Sequence, residues 1–244
     1  EVNSEAGTKP ATKMTFSQVD ATLREFAGIA LGTNRLSEDS AVDFWAEITK
    51  GFAEAYAKLA DQLVFTDNHA TYPGLFFKDG VAVETIGANI SDITWDDLMN
   101  CEVKIPSKAL QNGKYYMEKT VFNILRQTKA STAGNYMAMP VQINGTVQTP
   151  WGVPIELCDI LPNSSTVGDA NEPFGVFGDL KRNKLYIKNG MILTKASEAT
   201  VHDTDGNAIN LFEKNMQALR AEVRMVNMVK FPEAFCLFGT GTVS

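Results

Sequence analysis

From residue 41 to 65 the chain reads AVDFWAEITKGFAEAYAKLADQLVF. Trp45, Ile48, Phe52, Tyr56, Leu59 and Leu63 recur every three or four residues, so one broad apolar stripe runs along a helix. Ser40 is the expected N-cap, and Asp43 three residues on completes a capping box at the positive end of the helix dipole. Gly51 is the weak point of the pattern. At about 1.5 Å per residue the helix is roughly 37 Å long, which suits a thin, elongated body better than the centre of a compact enzyme.

Before this helix, residues 1–13 are polar and contain Gly7 and Pro10, as in an exposed loop. Residues 14–36 alternate like a long strand, Val19, Ala21 and Leu23 against Asp20, Thr22 and Arg24. A slip near Phe26 suggests a twisted ribbon. After the helix, 68–80 reads as loop, and Thr94 caps a helix over 95–104 that stops before Pro106. A short buried strand follows at 115–117, then a helix at 119–127, a loop through Gly134 and a strand at 153–158. Strands flank Asn189 and Gly190, the strongest short hairpin signal in the chain. Residues 215–230 alternate cleanly, with Gln217, Leu219, Ala221, Val223, Met225, Asn227 and Val229 on one side and Arg220, Glu222 and Arg224 on the other, and a last short strand lies at 235–238. Helices and strands interleave without repeating βα units, so the expected class is α+β.

Composition adds exclusions. The 244 residues are 44% hydrophobic and 21% charged, ordinary globular material. The net charge is −7 with no long basic cluster, which excludes a dedicated nucleic-acid binder. No apolar run reaches bilayer-spanning length and no signal-peptide pattern opens the chain. Cys101, Cys158 and Cys236 are few and scattered, as reduced cytosolic thiols are. The chain starts at Glu1 rather than Met, so upstream residues are expected to have been cleaved, left disordered or omitted.

Candidate chemistry is sparse. His69 and His202 have no metal-ligand partner at useful spacing, so no metal is expected. Asp203, Asp205, Gly206 and Asn207 resemble a calcium loop but lack its closing Glu, and a tight turn fits better. No dinucleotide fingerprint, phosphate loop or nucleophile elbow occurs, so no cofactor and no small-molecule enzyme are expected.

The order of parts does match a family. GKYYMEKTVFNILRQTKASTAGNYM, TPWGVPIELCDILP, EPFGVFGDLKRNKLYIKNGMIL and NLFEKNMQALRAEVRMVNMVKFPEAF follow the long loop and the helix, and together resemble the major capsid protein of tailed double-stranded-DNA bacteriophages, the Hong Kong phage type. The most specific pieces are GDLKRNKLYI and RAEVRMVNMVKFPEAF. The resemblance implies an α+β capsid fold with the 41–65 helix as its spine. Residues 37–68 and 183–231 would form a peripheral domain, 69–182 and 232–244 an axial domain, and 1–36 part of an extended loop. The family's N-terminal arm and ascending loop arm have no counterpart in this sequence. The implied role is a structural virion subunit, assembled in the bacterial host cytoplasm into hexamers and pentamers. Its implied partners are its own copies, with scaffold, portal and decoration proteins, and double-stranded DNA enclosed without sequence-specific binding. No membrane is involved.

Some members of that family weld their subunits by a Lys-Asn isopeptide bond. By resemblance, Lys9 matches the loop lysine, Asn215 the asparagine and Glu222 the glutamate that takes the proton. The lysine must be uncharged, although free lysine has a pKa of about 10.4, and an apolar pocket would lower it. Asn215 and Glu222 are seven apart and so point to opposite faces of a regular strand. A bulge between them, or different subunits, must bring them to one centre. The plain alternative is a surface lysine, a turn asparagine and a glutamate paired with Arg220 or Arg224. Rival functions are an encapsulin-like shell around cargo enzymes and a hydrolase using one cysteine near His69 or His202.

Overall fold

The computed structural model describes residues 20–40, 42–87, 89–127, 141–143, 146–163, 172–202 and 205–241. Strand β1 (Arg24–Thr33) is followed by the short helix α1 (Asn34–Asp39) and the long helix α2 (Phe44–Phe65). Next come β2 (Ala82–Ile86), α3 (Trp95–Lys104), α4 (Ser107–Leu110), β3 (Lys114–Met117) and α5 (Lys119–Gln127). Strands β4 (Val141–Ile143), β5 (Thr146–Gln148), β6 (Pro154–Leu157) and β7 (Pro173–Gly178) precede the long β8 (Asn183–Ala196). The chain closes with β9 (Thr200–His202), β10 (Ala208–Asn210), β11 (Met216–Val229) and β12 (Phe235–Thr240).

These elements make two layers. The first is a three-stranded antiparallel sheet, β1-β11-β8, with α2 laid on one face. Odd positions of β11 face the helix, where Val223 and Met225 cluster with Leu63 and the half-buried Phe26, Tyr56, Leu59 and Ala60. The Tyr56 hydroxyl donates to the carbonyl of Ala221 at 2.6 Å. The second layer is a seven-stranded mixed sheet, β2-β12-β7-β3-β6-β5-β4. Its centre is closely covered: all of β12 and residues 174–178 of β7 are buried, and Tyr115 stacks on Phe177 with ring centres 4.4 Å apart. Helices α3 and α5 turn Trp95, Leu98, Cys101, Val121, Phe122 and Leu125 into the same core. The chain crosses between the layers after α2, between β7 and β8, and between β11 and β12. An ion pair from Arg24 on β1 to Asp67 beyond α2 braces the first of these crossings.

Several expectations shift. The long helix begins at Phe44, not 41, because Asp43 caps it, its Oδ1 accepting from the amides of Trp45 and Ala46 at 3.1 Å. Ser40 instead ends α1 and accepts from Val42 N. With 22 residues the helix is roughly 33 Å long. Its predicted stripe is half-buried to buried while the opposite side is exposed. Strand β1 shows no slip near Phe26, since it pairs with β11 in unbroken register from Arg24↔Met225 to Thr33↔Met216. The alternation was obscured because the helix-facing side is small: a methyl group on Gly28 would come within 3.0 Å of the Phe52 ring, and one on Gly32 would meet Phe44.

The Asn189-Gly190 pair does not close a hairpin. Both residues have positive φ, 59° and 66°, as the dipeptide suggests, but β8 continues through them. Glu222 pairs with Ile192 and Arg224 with Lys188, so β8 takes up its extra residues there as a bulge. The helix at 95–104, with Thr94 and Asp97 in a reciprocal capping box, and the helix at 119–127 match their sequence patterns. Strands β9 and β10 pair antiparallel, and Gly206, just before β10, has φ 84°.

Candidate functional site

Of the three residues proposed for the covalent step, Lys9 lies outside the described residues. Asn215 closes the turn between β10 and β11. Its φ of 53° is left-handed, a conformation that asparagine tolerates, and Met216 N donates to Leu211 O at 2.9 Å across the turn. Asn34, at the start of α1, clasps it twice. Its backbone amide donates to Asn215 O at 3.1 Å, and its side-chain amide donates to Asn215 Oδ1. The Asn215 carboxamide is thereby held in one orientation at the corner where β1 becomes α1. Phe212, in the same turn, is 75% exposed.

Glu222 lies in mid-strand on β11, on the sheet face away from α2. Its Oε1 accepts from Arg220 Nε at 3.0 Å, while Arg224 pairs with Glu25 at 2.7 Å, so the plain alternative named the right kind of partner for Glu222. It borders a hollow of about 200 Å³ lined by Lys188, Asn189, Gly190, Ile192 and Arg224, opened by the β8 bulge. No bulge separates Asn215 from Glu222, because β11 runs in register with β1 throughout that interval. Seven residues of strand set them roughly 24 Å apart at about 3.4 Å per residue. The structure therefore does not bring them together within one subunit. Sequence reasoning missed Asn34 and the hollow beside Glu222. The signal for the hollow was Asn189-Gly190 within alternation too long to end in a turn.

The remaining candidates are structural. His69 accepts at Nδ1 from the amides of Thr71 and Tyr72 at 3.1 Å and stacks on Tyr72, which fixes its loop. His202 is exposed on β9. Among the described residues no cluster of three or more His, Cys, Asp or Glu could hold a metal ion, and no helix is long and apolar enough to cross a membrane. Cys101 and Cys236 are buried in the seven-stranded layer, and burial drives the Cys101 thiol far above its ordinary pKa. Burial raises Cys158 to about 11. Thiols held neutral in this way are poor nucleophiles at neutral pH, so Cys101 and Cys158 lend no support to a cysteine hydrolase.

The profile of the phage capsid family matches residues 1–239. The chain belongs to the phage capsid family. Solved capsid structures share its fold. The capsid of a native GTA particle, computed with C5 symmetry, superposes with a TM-score of 0.70 at 15% identity, covering 97% of this chain and 82% of that one. A chain of Microbacterium phage Oxtober96 gives a TM-score of 0.71 at 20% identity, covering 98% and 79%. One of Mycobacterium phage Bobi gives 0.66 at 18%, covering 99% and 81%. No curated protein sequence matches the chain. As a phage capsid protein it is a structural component of the virion, not an enzyme, and it works by associating with its own copies. Its functional site is thus a set of surfaces rather than a pocket.

Proposed function

We propose that this capsid protein assembles through hexamers and pentamers into a closed icosahedral shell around packaged double-stranded DNA. The observation that carries the reading is the half-covered peripheral layer. Helix α2 covers one face of three strands, while the other face and the edge strand β8 present Ile29, Ile187 and Ile192, each about half exposed. Such a sheet gains from a neighbour laid on it, and repeated lateral contacts of this kind close into rings. In this reading residues 37–68 and 183–231 are the peripheral domain, 69–182 and 232–244 the axial domain, and 1–36 the loop that laps over a neighbour, with β1 as its anchor in the sheet. Assembly takes place in the host cytoplasm with scaffold, portal and decoration proteins as further partners. The acidic chain encloses DNA without gripping it, because carboxylate and phosphate repel.

The covalent step belongs to the same proposal. Lys9 of one subunit, uncharged, attacks the carboxamide carbon of Asn215 of another, Glu222 takes the proton from the lysine nitrogen and passes it to the departing amide nitrogen, and that C–N bond breaks to release ammonia. The strand distance between Asn215 and Glu222 supports supply from different subunits, so the bond would form only on assembly.

Electron micrographs of the purified assembly, with nuclease-protected nucleic acid measured on the same material, test the shell. Closed particles holding genome-length DNA are expected. Particles filled with protein cargo would favour the encapsulin-like alternative, and unassembled monomers would exclude both. For the covalent step, boiled and reduced particles should give a ladder of linked oligomers on a denaturing gel, lost in Asn215→Asp. Monomer bands alone would remove that step and leave the shell intact.

A further inference from the structure

Two thiols face each other in the interior of the seven-stranded layer. Cys101 sits on the buried side of α3 beside Leu98, and Cys236 is the second residue of β12, the strand between the edge strand β2 and β7. Both are 0% exposed. Cys236 Sγ donates to Cys101 Sγ at 3.0 Å, and both sulfurs lie within 4 Å of the Leu237 carbonyl oxygen. They are free thiols, 135 residues apart in sequence. A disulfide measures about 2.05 Å, so the sulfurs need to close by only about 1 Å.

We propose that Cys101 and Cys236 form an intrasubunit disulfide site, a latch that closes under oxidising conditions and ties α3 to β12. Hydrogen peroxide, small and uncharged, is the oxidant class suited to a buried site. The Cys101 sulfur attacks one peroxide oxygen, the O–O bond breaks, and a sulfenic acid and one water result. The Cys236 sulfur then attacks the sulfenic sulfur. The S–O bond breaks, its oxygen leaves as water with the Cys236 thiol proton, and the S–S bond forms. Two thiols thus lose two electrons while one peroxide becomes two waters.

The rate is set by burial. The thiolate is the reactive form, and Cys101 is held protonated at neutral pH, so the latch closes slowly and through brief local opening of the core. Once closed, it constrains a long stretch of unfolded chain, the case in which loop-closure entropy favours the folded state most. Cys158, half-buried near Asp61 and Asp159, stands outside the pair and serves as an internal control.

The test is run on the purified protein, assembled or not, so its outcome is independent of the shell proposal. The protein is exposed to hydrogen peroxide, quenched with catalase, unfolded in an alkylating agent without reductant, digested and mapped by mass spectrometry. The expected product is a linked pair of peptides holding Cys101 and Cys236, lighter by two hydrogens and opened by dithiothreitol, with Cys158 alkylated. The oxidised protein should melt roughly 5–15 °C higher than the reduced one. Cys158→Ser should keep the link and Cys101→Ser should lose it. Alkylation of both Cys101 and Cys236 after peroxide, separate oxidation of each to sulfinic acid, or a link through Cys158 would overturn the proposal. The map of the unmutated protein decides even if Cys101→Ser fails to fold.

Discussion

The seven-stranded layer and the three-stranded layer are held by different amounts of the same force. In the seven-stranded layer β12 and most of β7 are buried, Tyr115, Phe174, Phe177 and Phe238 pack ring on ring, and Phe235 is fully buried as well. In the three-stranded layer one helix covers one face of three strands, and its small cluster around Leu63, Val223 and Met225 is ringed by half-buried side chains. Apolar burial contributes about 25 cal/mol per Å², so the first layer holds the larger share of the subunit's own stabilisation and the second keeps more apolar surface for a neighbour to cover. A shell protein can use this asymmetry, with one well-buried body and one surface that assembly completes.

Core truncations should separate the layers most strongly. Phe238→Ala, at the buried centre of the aromatic stack, should cost about 3–5 kcal/mol in urea denaturation of the subunit. Leu63→Ala should cost about 2 kcal/mol, the low end for such a change, because its thinly covered site can collapse. Equal losses would erase the contrast. Added methyls sharpen it further, within an overpacking cost of about 1–3 kcal/mol. Gly178→Ala places its methyl 2.6 Å from the Ala234 carbonyl oxygen, which cannot swing away, whereas Gly32→Ala meets the half-buried rings of Phe44 and Trp45, which can. Gly178→Ala should therefore lose more. Tyr56→Phe, which removes the hydroxyl bonded to Ala221 O, should cost about 1 kcal/mol by the same denaturation.

The smallest effect is electrostatic. Burial raises the Asp61 pKa above its ordinary value. The folded state then takes up the proton more readily than the unfolded chain, so stability attributable to Asp61 rises as pH falls through its folded pKa. Asp61→Asn should be slightly more stable than the parent at pH 7 and no more stable at acid pH, by thermal melts across that range.

Much of this contrast was legible in the chain. The period of Trp45 to Leu63 marked a helix with one apolar side, and the alternation from Gln217 to Val229 marked the strand beneath it. What sequence could not resolve was which short-range signal would yield to the sheet. Asn189-Gly190 carries hairpin chemistry, yet β11 is long enough to pair with both of its flanks, so the same positive φ angles make a bulge. Phe26 broke the apparent period of β1 because the inward positions after it are small, Gly28, Ala30 and Gly32, the two glycines lying against the rings of α2. For the site, Asn215 and Glu222 were found by resemblance. Their separation along one unbroken strand, and the clasp of Asn34 on Asn215, required the fold.

Amide hydrogen exchange, compared between dissociated subunits and assembled particles, tests the central asymmetry most directly. Amides of β12, β7 and β3 should be strongly protected in both states, while those of β8 and the first turns of α2 should gain protection on assembly. Equal protection of both layers in the free subunit, unchanged by assembly, would contradict the account.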